Sequence, residues 1–201
     1  MRRLVILLHG VNARGRDVAS LTRGWRLPGT VIVAPDAPFR SDESPDARQW
    51  FSIRGITPQT RPERVLGARG GFDGIIAAAM EAQGLAGRPD RLALIGFSQG
   101  AIMALDAVAS GRWPAAAVVA FSGRYATPDP QPAHTPALVI HGAADPAIPV
   151  SESLNARACL HAAGCRVDLA VQPGVGHWVS PEGAAMAEAF LRRAFGVPPQ
   201  A

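Results

Sequence analysis

Short apolar runs rich in β-branched residues alternate along this chain with stretches in which apolar positions recur at helical spacing. Each run is nearly continuous rather than alternating, as in a strand buried on both faces, and the alternation with helices is the sequence form of a parallel sheet covered on both sides. The pattern predicts six strands: Leu4–Leu8, Val31–Ala34, Leu92–Ile95, Ala117–Phe121, Ala137–Ile140 and Val167–Val171. Helices are expected over Arg61–Glu81, Gln99–Ser110, Ser151–Ala163 and Pro181–Phe195, the first interrupted in its middle by Gly70, Gly71 and Gly74. Pro35–Thr60 has no periodicity and carries Trp50 and Phe51, and long irregular segments inside compact domains tend to be functional. The proline-rich Thr127–Pro136 reads as a surface excursion, and Gly196–Ala201 as a tail that frays.

Composition narrows this picture. At 201 residues, 48% hydrophobic and 18% charged, the chain suits one globular domain spanning residues 1–201, and no apolar run reaches the ~18 residues of a membrane span. The opening Met1-Arg2-Arg3 before Leu4–Leu8 imitates a signal peptide, but its apolar run falls short of the ~7–15 residues of a signal core and reads as a buried strand. Cys159 and Cys165 are too few for a disulfide framework and lack zinc-like spacing, so a reducing, cytoplasmic setting and two buried, inert thiols are expected. Net charge is +4, every basic side chain is arginine, and the arginines are dispersed with a single tyrosine, a pattern that argues against nucleic-acid binding.

The chemistry is concentrated at strand ends. Gly96-Phe97-Ser98-Gln99-Gly100 is a G-x-S-x-G pentapeptide at a strand-to-helix junction, where a nucleophile elbow needs small residues so that strand and helix backbones can pass closely. A serine hydroxyl is a weak nucleophile, so Ser98 demands a histidine base and a carboxylate to orient it, in chain order Ser, Asp, His. Asp145 follows the fifth strand and His177 the sixth, so all three candidates lie beyond the C-terminal ends of parallel strands, where open α/β sheets place their sites. Taken singly, Asp145-Pro146 is also a turn initiator and His177 a loop histidine; their joint placement favours the catalytic reading. His134, His141 and His161 suit packing or surface roles, and at His9 the backbone matters more than the ring. Acyl transfer also needs two backbone N–H donors for the oxyanion, and Gln99, after the nucleophile, and Val11, after the first strand, are placed to supply them.

These segments resemble the phospholipase/carboxylesterase family of α/β-hydrolases, which includes acyl-protein thioesterases and small bacterial serine esterases. Leu7-Leu8-His9-Gly10 matches the family's oxyanion loop, Trp50-Phe51-Ser52-Ile53 its tryptophan-phenylalanine segment, and Leu94–Ala104 its elbow. His141–Asp145 and Gly176-His177 match its acid and histidine segments. The resemblance implies a triad of Ser98, Asp145 and His177, oxyanion donors at Val11 and Gln99, and Trp50 and Phe51 near the acyl pocket, core packing being the alternative for that pair. It also implies an α/β-hydrolase fold: a roughly six-stranded, mainly parallel sheet with helices on both faces. The first strand here is the one that fold usually numbers third, so the preceding antiparallel strands are expected to be missing, as is any large lid. After Val11 the family has Gly and then Asp or Asn, whereas this chain has Asn12-Ala13-Arg14; Asn tolerates left-handed angles, so the loop is expected to survive.

The expected protein is a serine carboxylesterase that needs no metal or organic cofactor, takes a small-molecule or acyl ester, and neither inserts stably into membranes nor binds nucleic acid. A thioesterase or lysophospholipase acting on long acyl chains is the rival within enzymes. A catalytically silent binding protein on the same fold is the rival outside them.

Overall fold

Residues 3–8 carry a side chain to each face of a sheet in turn, and all but Arg3 are buried. In the computed structural model, which describes residues 2–198, they form β1 (Arg3–Leu8) near the middle of the sheet. The remaining elements are α1 (Gly15–Ala19), β2 (Thr30–Val33), β3 (Phe39–Arg40), β4 (Arg48–Gln49), α2 (Arg61–Ala82), β5 (Leu92–Phe97) and α3 (Gln99–Ala109), then β6 (Ala117–Phe121), β7 (Ala137–Gly142), α4 (Ser151–Ala162), β8 (Val167–Gln172) and α5 (Pro181–Ala194). Six strands form the sheet in the order β2-β1-β5-β6-β7-β8, and every neighbouring pair is parallel. This is the α/β-hydrolase architecture.

Alternate residues of the central strands feed two cores. Leu4, Ile6 and Leu8 of β1 join Leu92 and Leu94 of β5 under α2, α3 and α4. Val5, Leu7, Ala93 and Ile95 face the other way, against Ala187, Phe190 and Leu191 of α5 and Val18 of α1. The edge strands β2 and β8 are only half-buried, which explains why Val167–Gln172 contains Asp168 in an otherwise apolar run.

Each strand lies where the pattern put it to within two residues; β5, β7 and β8 run past the expected ends through glycine or polar residues that the apolar pattern does not count. The three glycines do not break α2. Its stripe of Val65, Ala68, Phe72, Ile76 and Met80 is buried on one face, while Gly70 and Gly74 point into open space. Burial of that stripe outweighs the ~1 kcal/mol of helix propensity each glycine forfeits.

Three expectations are corrected. Pro35–Thr60 is not wholly irregular, because β3 and β4 pair as a short antiparallel hairpin. The proline-rich loop is pinned as well as exposed: Asp129 pairs with Arg69 at 2.6 Å, and Ala133 and Thr135 are buried. Cys159 is half-buried rather than buried, whereas Cys165 is buried, and burial pushes both thiols up. At the end of α5, Gly196, at φ 61°, and Val197 donate to the carbonyls of Arg193 and Arg192, and Val197 packs into the second core. Residues 199–201 lie outside the described residues.

Candidate active site

β5 ends by turning straight into α3. Ser98 at the turn has φ 52° and ψ −116°, a conformation costly for a non-glycine residue and a feature of residues held for function. The surroundings enforce it. Ser98 donates its N–H to the Phe121 carbonyl at 2.9 Å and accepts from the Ala101 and Ile102 amides at 3.0 and 3.1 Å. A Cβ on Gly96 would lie 2.4 Å from Ala101 backbone atoms, and one on Gly100 would lie 2.2 Å from the Leu8 carbonyl oxygen, so only glycine lets these backbones pass.

The loops after β7 and β8 bring the partners. His177 Nε2 lies 3.0 Å from Ser98 Oγ, and His177 Nδ1 lies 2.7 Å from Asp145 Oδ2. The other carboxylate oxygen of Asp145 accepts from the Ala147 and Ile148 amides at 2.8 and 2.9 Å. Burial by itself would raise this carboxyl, but the bonds from Ile148, His177 and Ala147 outweigh it and hold Asp145 below the usual carboxylate range. Asp145 is therefore an anion at neutral pH, and with its Oδ2 as acceptor, Nδ1 of His177 carries the proton and Nε2 faces Ser98 as a base. The Phe97 ring lies 4.9 Å from the imidazole, centroid to centroid, and limits its swing.

His141 proves to be more than packing. It is fully buried, Ile148 O lies 2.8 Å from its Nε2 and Ser153 Oγ 2.5 Å from its Nδ1, and the same Nε2 is 3.3 Å from Asp145 Oδ2. The ring thus braces the turn that carries the carboxylate.

The loop after β1 sits beside the nucleophile, since a Cβ on Gly10 would lie 3.3 Å from Ser98 Cβ. Asn12 takes the left-handed φ of 60° that its side chain tolerates, and this turns the chain just beyond Val11. The ring of His9 matters here, contrary to expectation. Its Nε2 accepts from the Ala37 amide at 2.9 Å, so Nδ1 bears the proton and donates to the Gly10 carbonyl at 2.7 Å; burial lowers its pKa. His9 therefore stays neutral and clamps the loop that presents Val11.

Trp50 and Phe51 are buried, which favours the packing alternative for this pair. Trp50 is 0% exposed and Phe51 4%, with the Trp50 ring edge-on to Phe72 in the core. Their part is to brace: Trp50 Nε1 donates to the His9 carbonyl at 2.9 Å, the Gln99 side chain accepts from the Trp50 amide at 2.7 Å, and it donates to the Phe51 carbonyl at 2.8 Å. One buried segment thus ties the β1 loop to the elbow. Replacing Trp50 with Phe keeps an aromatic ring but removes part of the buried indole and orphans the His9 carbonyl, with an expected cost of about 1–3 kcal/mol or more in denaturant unfolding. An unchanged midpoint would show that the indole N–H contributes nothing.

Among the described residues, no three or more His, Cys, Asp or Glu side chains converge as a metal site would need. No helix among them is long and apolar enough to cross a membrane. Serine, imidazole and carboxylate in this arrangement are able to carry out acyl transfer. Residues 1–194 match the model of the phospholipase/carboxylesterase family. The chain belongs to that family.

Among individual proteins, this family member is 32% identical over 179 residues to the esterase YpfH of Escherichia coli strain K12, across 88% of this chain and 76% of that one. It is 26% identical over 211 residues to acyl-protein thioesterase 1 of Neurospora crassa, across 93% and 84%. Among solved structures, esterase PE8 superposes with a TM-score of 0.87 at 33% identity, covering 96% of this chain and 93% of its own. The protein is thus a hydrolase of the carboxylesterase family, and the fold expected from the strand-end motifs is the one it has.

Proposed function

We propose that this hydrolase cleaves carboxylic esters through an acyl-enzyme on Ser98. The hydrogen-bonded chain from Asp145 through His177 to Ser98, set on a strained elbow, carries the reading. His177 Nε2 takes the Ser98 proton as Oγ attacks the ester carbonyl, and the tetrahedral oxyanion is met by the backbone N–H groups of Val11 and Gln99. Collapse of the intermediate breaks the bond to the alcohol, which leaves with the proton held by His177. Water activated by the same imidazole then releases the acid and regenerates Ser98. Asp145 keeps the imidazole in one tautomer and stabilises its cation.

The same machinery serves thioesters, and the likeness to the Neurospora thioesterase makes a long-chain thioesterase or lysophospholipase the second reading. Two measurements test the proposal. A fluorophosphonate is expected to add once, on the peptide holding Ser98; an adduct confined to another residue would overturn the assignment. In a p-nitrophenyl ester series from acetate to palmitate, turnover is expected to peak at short chains, whereas a peak at long chains would give preference to the second reading.

A further inference from the structure

A groove of about 680 Å³ opens beside His177, and none of the steps above uses it. One wall is α1 with the Ser20–Thr22 turn and Trp25; the other is Trp178–Pro181 and the start of α5. Gly10, Phe97 and His177 line it as well, so it borders the candidate base. Its volume is in the range of small-molecule sites.

Two features mark it as built for a flat apolar group. Trp178 is 56% exposed, the most exposed of the large apolar side chains described. Its ring is nonetheless held in place, because it lies on Gly176 so closely that a Cβ there would come 2.2 Å from the indole. A second indole, Trp25, also lines the groove, with Val18 and Leu21 adding apolar surface. The carboxylates at the rim are already engaged: Glu188 accepts from the Arg26 amide at 2.6 Å and Asp17 from the Arg14 amide at 2.7 Å. Neither is left seeking a cation.

The chemistry decides which half of the ester enters. When the tetrahedral intermediate collapses, the proton on His177 Nε2 passes to the departing oxygen, so the alcohol half must lie on the His177 side of Ser98 and the acyl half away from it. The groove borders His177. We propose, resting on the serine-esterase reading, that it is the alcohol subsite and that it selects aryl esters, the leaving aromatic ring packing against Trp178 and Trp25. Trp178 is then a specificity-determining residue; it discriminates between alcohols and has no part in choosing the acyl chain.

The test compares ratios of kcat/KM in the full chain. Trp178→Ala is expected to lower the ratio for 2-naphthyl acetate over ethyl acetate by about 10-fold or more, while leaving the ratio of p-nitrophenyl octanoate over acetate unchanged. Ala184→Trp, which fills the same groove from α5 without disturbing the stacking on Gly176, is expected to act in the same direction. The proposal is overturned if the alcohol ratio stays constant in both variants, which would reduce Trp178 to a support for the His177 loop, or if the acyl ratio moves as far as the alcohol ratio, which would make the groove an acyl site. Failure of the underlying reading looks different: fluorophosphonate would miss Ser98 in the unaltered protein, whatever the alcohol preference.

Discussion

Ser98→Ala is expected to lower ester turnover by about 10⁶-fold, the scale on which loss of a triad nucleophile acts in serine hydrolases. The Oγ 3.0 Å from His177 Nε2 is the group on which the proposed covalent step depends, and no other serine or cysteine meets that imidazole among the described contacts. What survives should be the modest acceleration that binding and an oxyanion site give to attack by water. The fold should be untouched, because the bonds that set the elbow are made by the Ser98 main chain to Phe121, Ala101 and Ile102. Thermal unfolding should therefore be close to that of the parent while kcat collapses. A folded Ser98→Ala protein that retains most of its turnover would remove Ser98 from the chemistry.

Gly100→Ala should act in the opposite way, on the fold itself. Alanine is the better helix former by about 1 kcal/mol, so propensity at the start of α3 predicts stabilisation. Space predicts the reverse: the new methyl would lie 2.2 Å from the Leu8 carbonyl oxygen and 2.6 Å from that of His9, and both are main-chain atoms that cannot rotate aside. Either α3 or the end of β1 must move, taking with it the Val11 loop that His9 and Trp50 hold. The expected loss is about 4 kcal/mol or more, large against the ~5–15 kcal/mol that holds a domain together, and it is read from the denaturant midpoint. A midpoint at or above the parent's would show that the close approach of these backbones is not needed.

The central strands were legible because burial on both faces leaves an uninterrupted apolar signature, and the candidate triad because its members stand at the ends of strands. Other parts were not, for identifiable reasons. The β3–β4 hairpin is two residues on each side, too short for any period to register. Asp106 looks like a solvent-facing acid on a helix, yet its side chain is fully buried, held at 2.9 Å by Arg69 from α2 and by Arg112 beyond α3. Burial of such a charge depends on partners distant in sequence, which no local pattern announces. Trp50 was left open between two roles for a related reason: a tryptophan beside a site can touch substrate or brace the frame, and its burial and its N–H bond to the His9 carbonyl are tertiary facts. Trp25 and Trp178 line one groove although more than 150 residues separate them, and no local pattern links them.

The clasp on Asp106 also bears on the alkaline range of the enzyme. α3 starts directly after Ser98 and carries Asp106 two turns further on, so the helix that follows the candidate nucleophile is moored through this carboxylate to α2 and, by way of Arg69 and Asp129, to the proline-rich loop. Both moorings are guanidinium groups, and Arg69 is driven still further from deprotonation by its bonds to Asp106. A histidine base works only when it is neutral, toward higher pH, where an ammonium group in the same position would begin to lose its charge near pH ~10. With arginine there the mooring keeps its charge across the whole range in which the imidazole can accept a proton. Alkaline pH therefore leaves this support of α3 unaffected.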